Sequence, residues 1–182
     1  ADDLGVTVFG TSAKYLSAQE KAGVRVVDRL PLQHLRAVLS TGSPLAPESF
    51  DYLQQDIKPG VQICSISGGT DIVSCFLLGS PLLPVRRGQL QCRGLGMAVD
   101  VFDADGKSLR EQAGELVCTR SFPCMPVGCW NDPEGSRYRD DYFASFPGVW
   151  THGDWKILTD EGGLIIEGGS DAVHKPCGVR SG

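Results

Sequence analysis

Over the first eighty or so residues, short apolar runs alternate with segments whose apolar residues recur at helical spacing. Val6-Thr7-Val8-Phe9 is β-prone and leads through Thr11-Ser12 into residues 13–22, where Tyr15, Leu16 and Ala22 fall near one helical face before Gly23. This reads as strand, capped helix and stop. Residues 32–35 read as a short helix and 36–40 as an apolar strand, after which Pro47 opens a helix with Phe50, Leu53 and Ile57 on one side. Residues 61–66 make a further strand. Strand, helix and strand with short connections predict a parallel α/β layer buried on both faces.

From about Leu83 the helical period disappears. Residues 98–102 alternate, Asp103-Ala104-Asp105-Gly106 is a turn, and Gly114-Glu115-Leu116-Val117-Cys118 is the next strand. Residues 155–158 and 164–166 flank Thr159-Asp160-Glu161-Gly162-Gly163, a hairpin by its turn residues. The polar, aromatic segment 131–147 has no period and reads as a loop lying across this sheet. The predicted fold class is α/β: a parallel-sheet layer over residues 1–84, followed by a small antiparallel, barrel-like subdomain over 85–167.

Composition narrows the class. The 182 residues include 23 Gly and 11 Pro, with 41% hydrophobic and 21% charged residues, which suits a turn-rich globular protein and excludes a coiled coil, collagen or a charge-dominated disordered chain. No apolar run approaches the roughly 20 residues that span a bilayer, since even 74–83 is interrupted by Gly79 and Pro81. Net charge is −5 and the 17 basic residues are scattered, so no basic stripe exists to track a nucleic-acid backbone. The seven cysteines (64, 75, 92, 118, 124, 129 and 177) lack CxxC spacing or a Cys/His cluster, which argues against zinc. Most of them sit in apolar segments and read as buried thiols of a reducing compartment, the cytosol. Both ends read as cut from a longer chain.

Three stretches carry candidate chemistry. In Ser65-Ile66-Ser67-Gly68-Gly69-Thr70-Asp71, glycines let backbone N–H groups approach an anion, and a hydroxyl followed by a carboxylate is suited to a phosphate oxygen and its magnesium. Spacing alone fits a plain strand-to-helix turn equally well, and no Lys follows to make a Walker loop. Trp150-Thr151-His152-Gly153-Asp154-Trp155 sets one carboxylate between aromatics, an arrangement that accepts hydrogen bonds from a vicinal diol, although spacing alone favours an Asp in a turn. Gly168-Gly169-Ser170-Asp171 reads as a linker or, more simply, a frayed end. Other readings are set aside: Gly94-Leu95-Gly96 has Val99 where a dinucleotide fingerprint needs Gly or Ala, and no G-x-S-x-G elbow supports a triad around His152. Asp140 and Asp141 beside Tyr138 and Tyr142 read as a solvated loop face.

In order along the chain, Ser40-Thr41-Gly42-Ser43-Pro44-Leu45, Ser67-Gly68-Gly69-Thr70-Asp71, Gly114-Glu115-Leu116, residues 138–143, His152-Gly153-Asp154-Trp155 and Ser170-Asp171 through Gly178-Val179-Arg180 resemble the successive core motifs of acyl-adenylate-forming enzymes. The resemblance covers almost the whole chain and is strongest to members that activate acetoacetate. It implies the C-terminal half of an adenylation large domain, with residues 168–182 as hinge and start of a further domain. The implied activity is a two-step ligation using ATP, magnesium and CoA, in which a carboxylate, acetoacetate, is first adenylated and then passed to the CoA thiol. By motif, Gly42, Ser43 and Pro44 would line the adenine and Thr70, beside Gly69, would contact the α-phosphate. Asp71 would stand in for the family's magnesium-binding Glu, and Asp154 would hold the ribose hydroxyls. Gly68, where acetate-specific members resemble one another in having Trp, would widen the acyl pocket, Asp171 would be the hinge, and Arg180 would match an Arg just beyond it. The sequence departs from the pattern at Gly169, where the family has an Arg, and at Asp71, one methylene shorter than Glu. With the family's phosphate loop and adenylation Lys outside these residues, the isolated chain is expected to be inactive. The alternative is a non-catalytic nucleotide-binding or interaction module.

Overall fold

The computed structural model describes residues 2–169, with side chains through residue 166. It divides into two compact units, one built from residues up to 67 together with 78–91, the other from 68–77 together with 92–169. The chain therefore crosses between units repeatedly, where the sequence suggests a single passage at 84/85. No helix among the described residues is long and apolar enough to cross a membrane.

In the first unit, β1 (Val8–Ser12), β2 (Ala37–Thr41) and β3 (Gln62–Ser65) form a parallel sheet in that order. Helix α1 (Ala13–Lys21) follows β1 directly; Ser12 is its cap, its hydroxyl accepting from the Tyr15 N–H at 3.1 Å. Helix α2 (Pro47–Tyr52) starts at Pro47, whose missing N–H costs nothing in a first turn. It runs into a π-helical turn (Leu53–Ile57), closed by the Lys58 N–H on the Leu53 carbonyl at 2.9 Å. Leu16, Val38, Leu45, Phe50, Leu53 and Ile63 build the core beneath these helices.

The short helix expected at 32–35 is a turn instead. Leu32 has φ 43°, and the Lys58 ammonium donates to the carbonyls of Leu32, Gln33 and Leu35, drawing them away from a helical ladder. The sheet's other face is met by 78–91: a Cβ on Gly79 would lie 2.2 Å from the Cys64 sulfur. That segment is tied down by the Gln91 amide on the Ser80 and Leu83 carbonyls, and by Arg87 on Asp51 and Glu48 of α2.

In the second unit, β7 (Val99–Phe102), β8 (Ala113–Cys118), β9 (Trp150–Leu158) and β10 (Leu164–Gly169) form an antiparallel sheet, order β10-β9-β8-β7, that curls into a half barrel. The 103–106 turn forms as its residues predict, with the Asp103 carboxylate accepting from the N–H groups of Asp105 and Lys107. The hairpin turn at 159–163 is closed by the Thr159 N–H on the Gly163 carbonyl. A second sheet joins β4 (Ser67–Gly69), β5 (Ser74–Leu78) and β6 (Cys92–Arg93). The glycine stretch after β3 is thus a hairpin arm leading into another strand, with no helix behind it.

The segment 131–147 is also corrected: it contains helix α3 (Ser136–Phe143). The Asp132 carboxylate accepts from the Tyr138 N–H at 2.9 Å, and these bonds hold it below the usual carboxylate range. Tyr138 and Tyr142, one helical turn apart, lie against Trp150 of β9; the Tyr142 ring stacks on it at 3.9 Å and 15°.

Candidate functional site

The first unit contributes the segment after β2. Parallel strands direct their carboxyl ends, and any ligand, to one edge of the sheet. At that edge Thr11, Ser40 and Ser65 stand in register across the three strands. Ser40 is fully buried and its hydroxyl has no partner among the described residues. Gly42, Ser43 and Pro44 follow as an exposed turn with Gly42 at φ 82°, anchored by buried Leu45 before α2 begins.

The second unit carries the other candidates. Gly68 and Gly69 end β4, and Thr70 lies exposed in the turn at 70–73. A Cβ on Gly68 would stand 2.2 Å from the Ser74 carbonyl oxygen and 2.6 Å from Cys75 Cα, so glycine is demanded by the backbone of the facing arm. A side chain here would meet main chain first. The Asp71 carboxylate folds back over Gly69, with Oδ1 accepting from the Ile72 N–H at 3.1 Å and lying 1.9 Å from where a Gly69 Cβ would be.

The third motif turns out to be a β-bulge. Glu115 pairs with Trp155 and Val117 with Thr151, so His152, Gly153 and Asp154 on β9 oppose Leu116 alone. Gly153 takes φ 78°, and its N–H, displaced from the ladder, donates to Glu115 Oε1 at 2.8 Å. His152 turns inward, 5% exposed, with its ring edge-to-face on Phe76 at 4.7 Å and Cε1 2.9 Å from the virtual Cβ of Gly69. The Asp154 carboxylate is mostly buried and pairs with the Lys156 ammonium at 3.1 Å.

The structure therefore brings Gly69, Asp71 and His152 together and places Asp154 on the same bulge as His152. Three participants were not evident from the sequence: His152 as a wedge, Glu115 as the acceptor for Gly153, and Lys156. Only the i, i+2 spacing of Asp154 and Lys156 hinted at a shared strand face. Among the described residues no group of three or more His, Cys, Asp or Glu is placed to hold a metal. A magnesium ion at Asp71 would take its remaining ligands from phosphate and water, which is how magnesium usually sits beside one carboxylate. The described cysteines are free thiols, and burial pushes those of Cys75, Cys92 and Cys118 up. Asp171 and Arg180 lie outside the described residues, as does Cys177.

No family model matches the chain. The relatives it resembles nevertheless fall in one class, the acyl-CoA synthetases. The family is that of the acetoacetyl-CoA synthetases, to which the chain belongs over its whole length. It is 57% identical to the acetoacetyl-coenzyme A synthetase of Rhizobium meliloti (strain 1021) over 96% of the chain, and 48% identical to the acetoacetyl-CoA synthetase of Mus musculus over 100%. The solved acetoacetyl-CoA synthetase from Streptomyces lividans superposes with a TM-score of 0.86 at 48% identity, covering 94% of the chain. In each case the chain spans 27% of the relative's length.

Proposed function

We propose that this chain supplies nucleotide-recognising groups to an ATP-dependent, AMP-forming ligation of acetoacetate to CoA. In the first step a carboxylate oxygen of acetoacetate attacks the α-phosphorus of ATP, forming the mixed anhydride as the bond to pyrophosphate breaks. In the second, the CoA sulfur attacks the acyl carbon, the proton leaves the thiol, and AMP departs with the electrons of the broken C–O bond. Neither step needs a covalent bond to the protein, so catalysis rests on alignment and charge neutralisation.

The observation that carries this reading is the seating of His152 against Gly69. It joins the turn bearing Thr70 and Asp71 to the bulge bearing Asp154, so two motifs separate in sequence form one constellation. Within it the Thr70 hydroxyl, on an exposed turn, donates to an α-phosphate oxygen, and the Asp154 carboxylate accepts from the ribose diol. Asp71 would hold magnesium, which would neutralise phosphate charge. By motif alone, Gly42, Ser43 and Pro44 are assigned to the adenine and Gly68 to the acyl group. Asp171 is assigned the hinge and Arg180 a place just beyond it, by motif alone.

The test is ligand-observed NMR of the chain with AMP. Saturation transfer to the adenine and ribose protons, lost in a folded Asp154→Ala variant, supports the reading. Absence of transfer from the wild-type chain, or transfer unchanged in Asp154→Ala, overturns it.

A further inference from the structure

The hairpin that carries Thr70 and Asp71 has two arms, β4 ending at Gly69 and β5 beginning at Ser74, joined by residues 70–73. The ring of His152, on β9, reaches both arms. It stands edge-on to Phe76 of β5 at 4.7 Å, and its Cε1 is 2.9 Å from where a Cβ on Gly69 of β4 would lie. The Asp71 carboxylate crowds that same point from the turn, with Oδ1 1.9 Å away. Gly69 is thus a notch that receives an imidazole from a motif distant in sequence.

The ring is held there by packing. Phe76 is 1% exposed and lies edge-to-face on Phe122 at 5.3 Å, and Phe122 in turn on Trp150 at 5.4 Å, two residues before His152 on β9. Close-packed side chains keep their rotamers, so this chain of rings fixes the imidazole between hairpin and strand. Asp154 follows two residues later in the bulge opposite Leu116, across Gly153 at φ 78°. His152 and Asp154 have further partners as well, and the reach of the ring across Gly69 does not depend on them.

A small residue at 152 would leave a gap over Gly69, and the hairpin tip and the bulge would no longer be wedged against each other. The spacing between them matters only to a ligand that meets both. For such a ligand a frame already ordered makes the second contact cheap, whereas a frame ordered on binding takes that cost out of the affinity. A ligand that meets one end alone gains little from the wedge.

We infer that His152 is a positioning residue that fixes the spacing between the phosphate end and the ribose end of the site, so that a ribonucleoside 5′-phosphate is selected as a whole. The inference rests on the α-phosphate reading of Thr70 and the ribose reading of Asp154 given above, and the test separates them. The 182-residue chain and its His152→Ala and His152→Phe variants are titrated with AMP, adenosine and 2′-deoxy-AMP in the presence of magnesium. Folding is checked by the dispersion of amide resonances. His152→Ala is expected to weaken AMP by about tenfold and the other two ligands by about twofold or less. His152→Phe, which keeps a ring against Phe76 and Gly69, should recover most of the AMP affinity. A variant that is merely less stable would lose all three ligands in equal proportion.

A folded His152→Ala chain that keeps its AMP affinity, or weakens all three ligands equally, overturns the role of His152 and leaves the ribose and phosphate readings intact. So does a folded His152→Phe chain that binds AMP no better than His152→Ala. A wild-type chain that binds AMP no better than 2′-deoxy-AMP overturns the ribose reading, one that binds AMP no better than adenosine overturns the phosphate reading, and either result takes the inference with it. Should His152→Ala fail to fold, His152→Val takes its place under the same criteria, being suited to a strand and apolar toward Phe76 but too short to reach Gly69.

Discussion

The main-chain N–H of Gly153 donates to the carboxylate of Glu115 across two antiparallel strands, at 2.8 Å. A bulge leaves at least one N–H without a ladder partner, and a buried donor so abandoned costs about 1–3 kcal/mol. Glu115 removes that penalty from the segment that presents Asp154. Glu115→Leu should therefore destabilise the chain by about that amount, whereas Glu115→Gln, which keeps an acceptor oxygen, should cost less than half as much. Urea unfolding of the variants measures both, and equal losses would show that the acceptor is irrelevant.

Gly68 and Gly69 should respond differently to alanine. At Gly68 the new Cβ meets main chain at 2.2 Å, which cannot move without opening the hairpin. At Gly69 its first obstacle is the Asp71 carboxylate at 1.9 Å, a side chain able to swing aside. Gly68→Ala should lower the unfolding midpoint clearly more than Gly69→Ala. Gly69→Ala should in turn weaken AMP binding more than its stability loss explains, because it displaces Asp71 and crowds His152.

Helix α3 should be acid-sensitive through Asp132. The N–H of Tyr138, ahead of weaker bonds from its neighbours, holds this carboxyl below its ordinary value. A depressed carboxylate stabilises the fold above its unfolded-state pKa and loses that contribution as pH falls through the folded one. Amide exchange at Tyr138 should accordingly quicken as pH drops below the ordinary carboxylate range, in an exchange regime corrected for intrinsic rates. In Asp132→Ala it should be fast already and lack that pH dependence. A wild-type-like profile in the variant would remove Asp132 from the account.

The isolated chain should show no acetoacetate-dependent exchange of labelled pyrophosphate into ATP. The proposed groups address the α-phosphate, ribose and adenine, and nothing assigned here grips the β- and γ-phosphates. Exchange above the no-protein control, abolished by Thr70→Ala, would show a complete adenylation centre within these residues.

Patterns confined to neighbouring residues were legible in the sequence: the Ser12 cap, the Pro47 start, the Asp103 turn and the alternation of 98–102. What depends on distant partners was not. Helix α3 owes its form to Asp132 at one end and to Tyr138 and Tyr142 resting on Trp150, while Leu32 leaves the helical region beside an ammonium on Lys58. The site divides likewise. Thr70, Asp71 and Asp154 stand out as motif residues, but the places of Glu115 and His152 follow from the register shift opposite Leu116, which no local pattern reveals.

The repeated passage of the chain between units bears on how such a protein can be cut and recombined. Residues 68–77 are built into the second unit, yet in the gene they precede 78–91, which belong to the first. A single breakpoint at 84/85 would separate the Thr70 turn and its hairpin from the strand that carries Asp154. Swapping the second unit between relatives as one piece thus requires two exchanged segments, and a library of single-crossover chimaeras should lose function most heavily when the junction falls between 70 and 152.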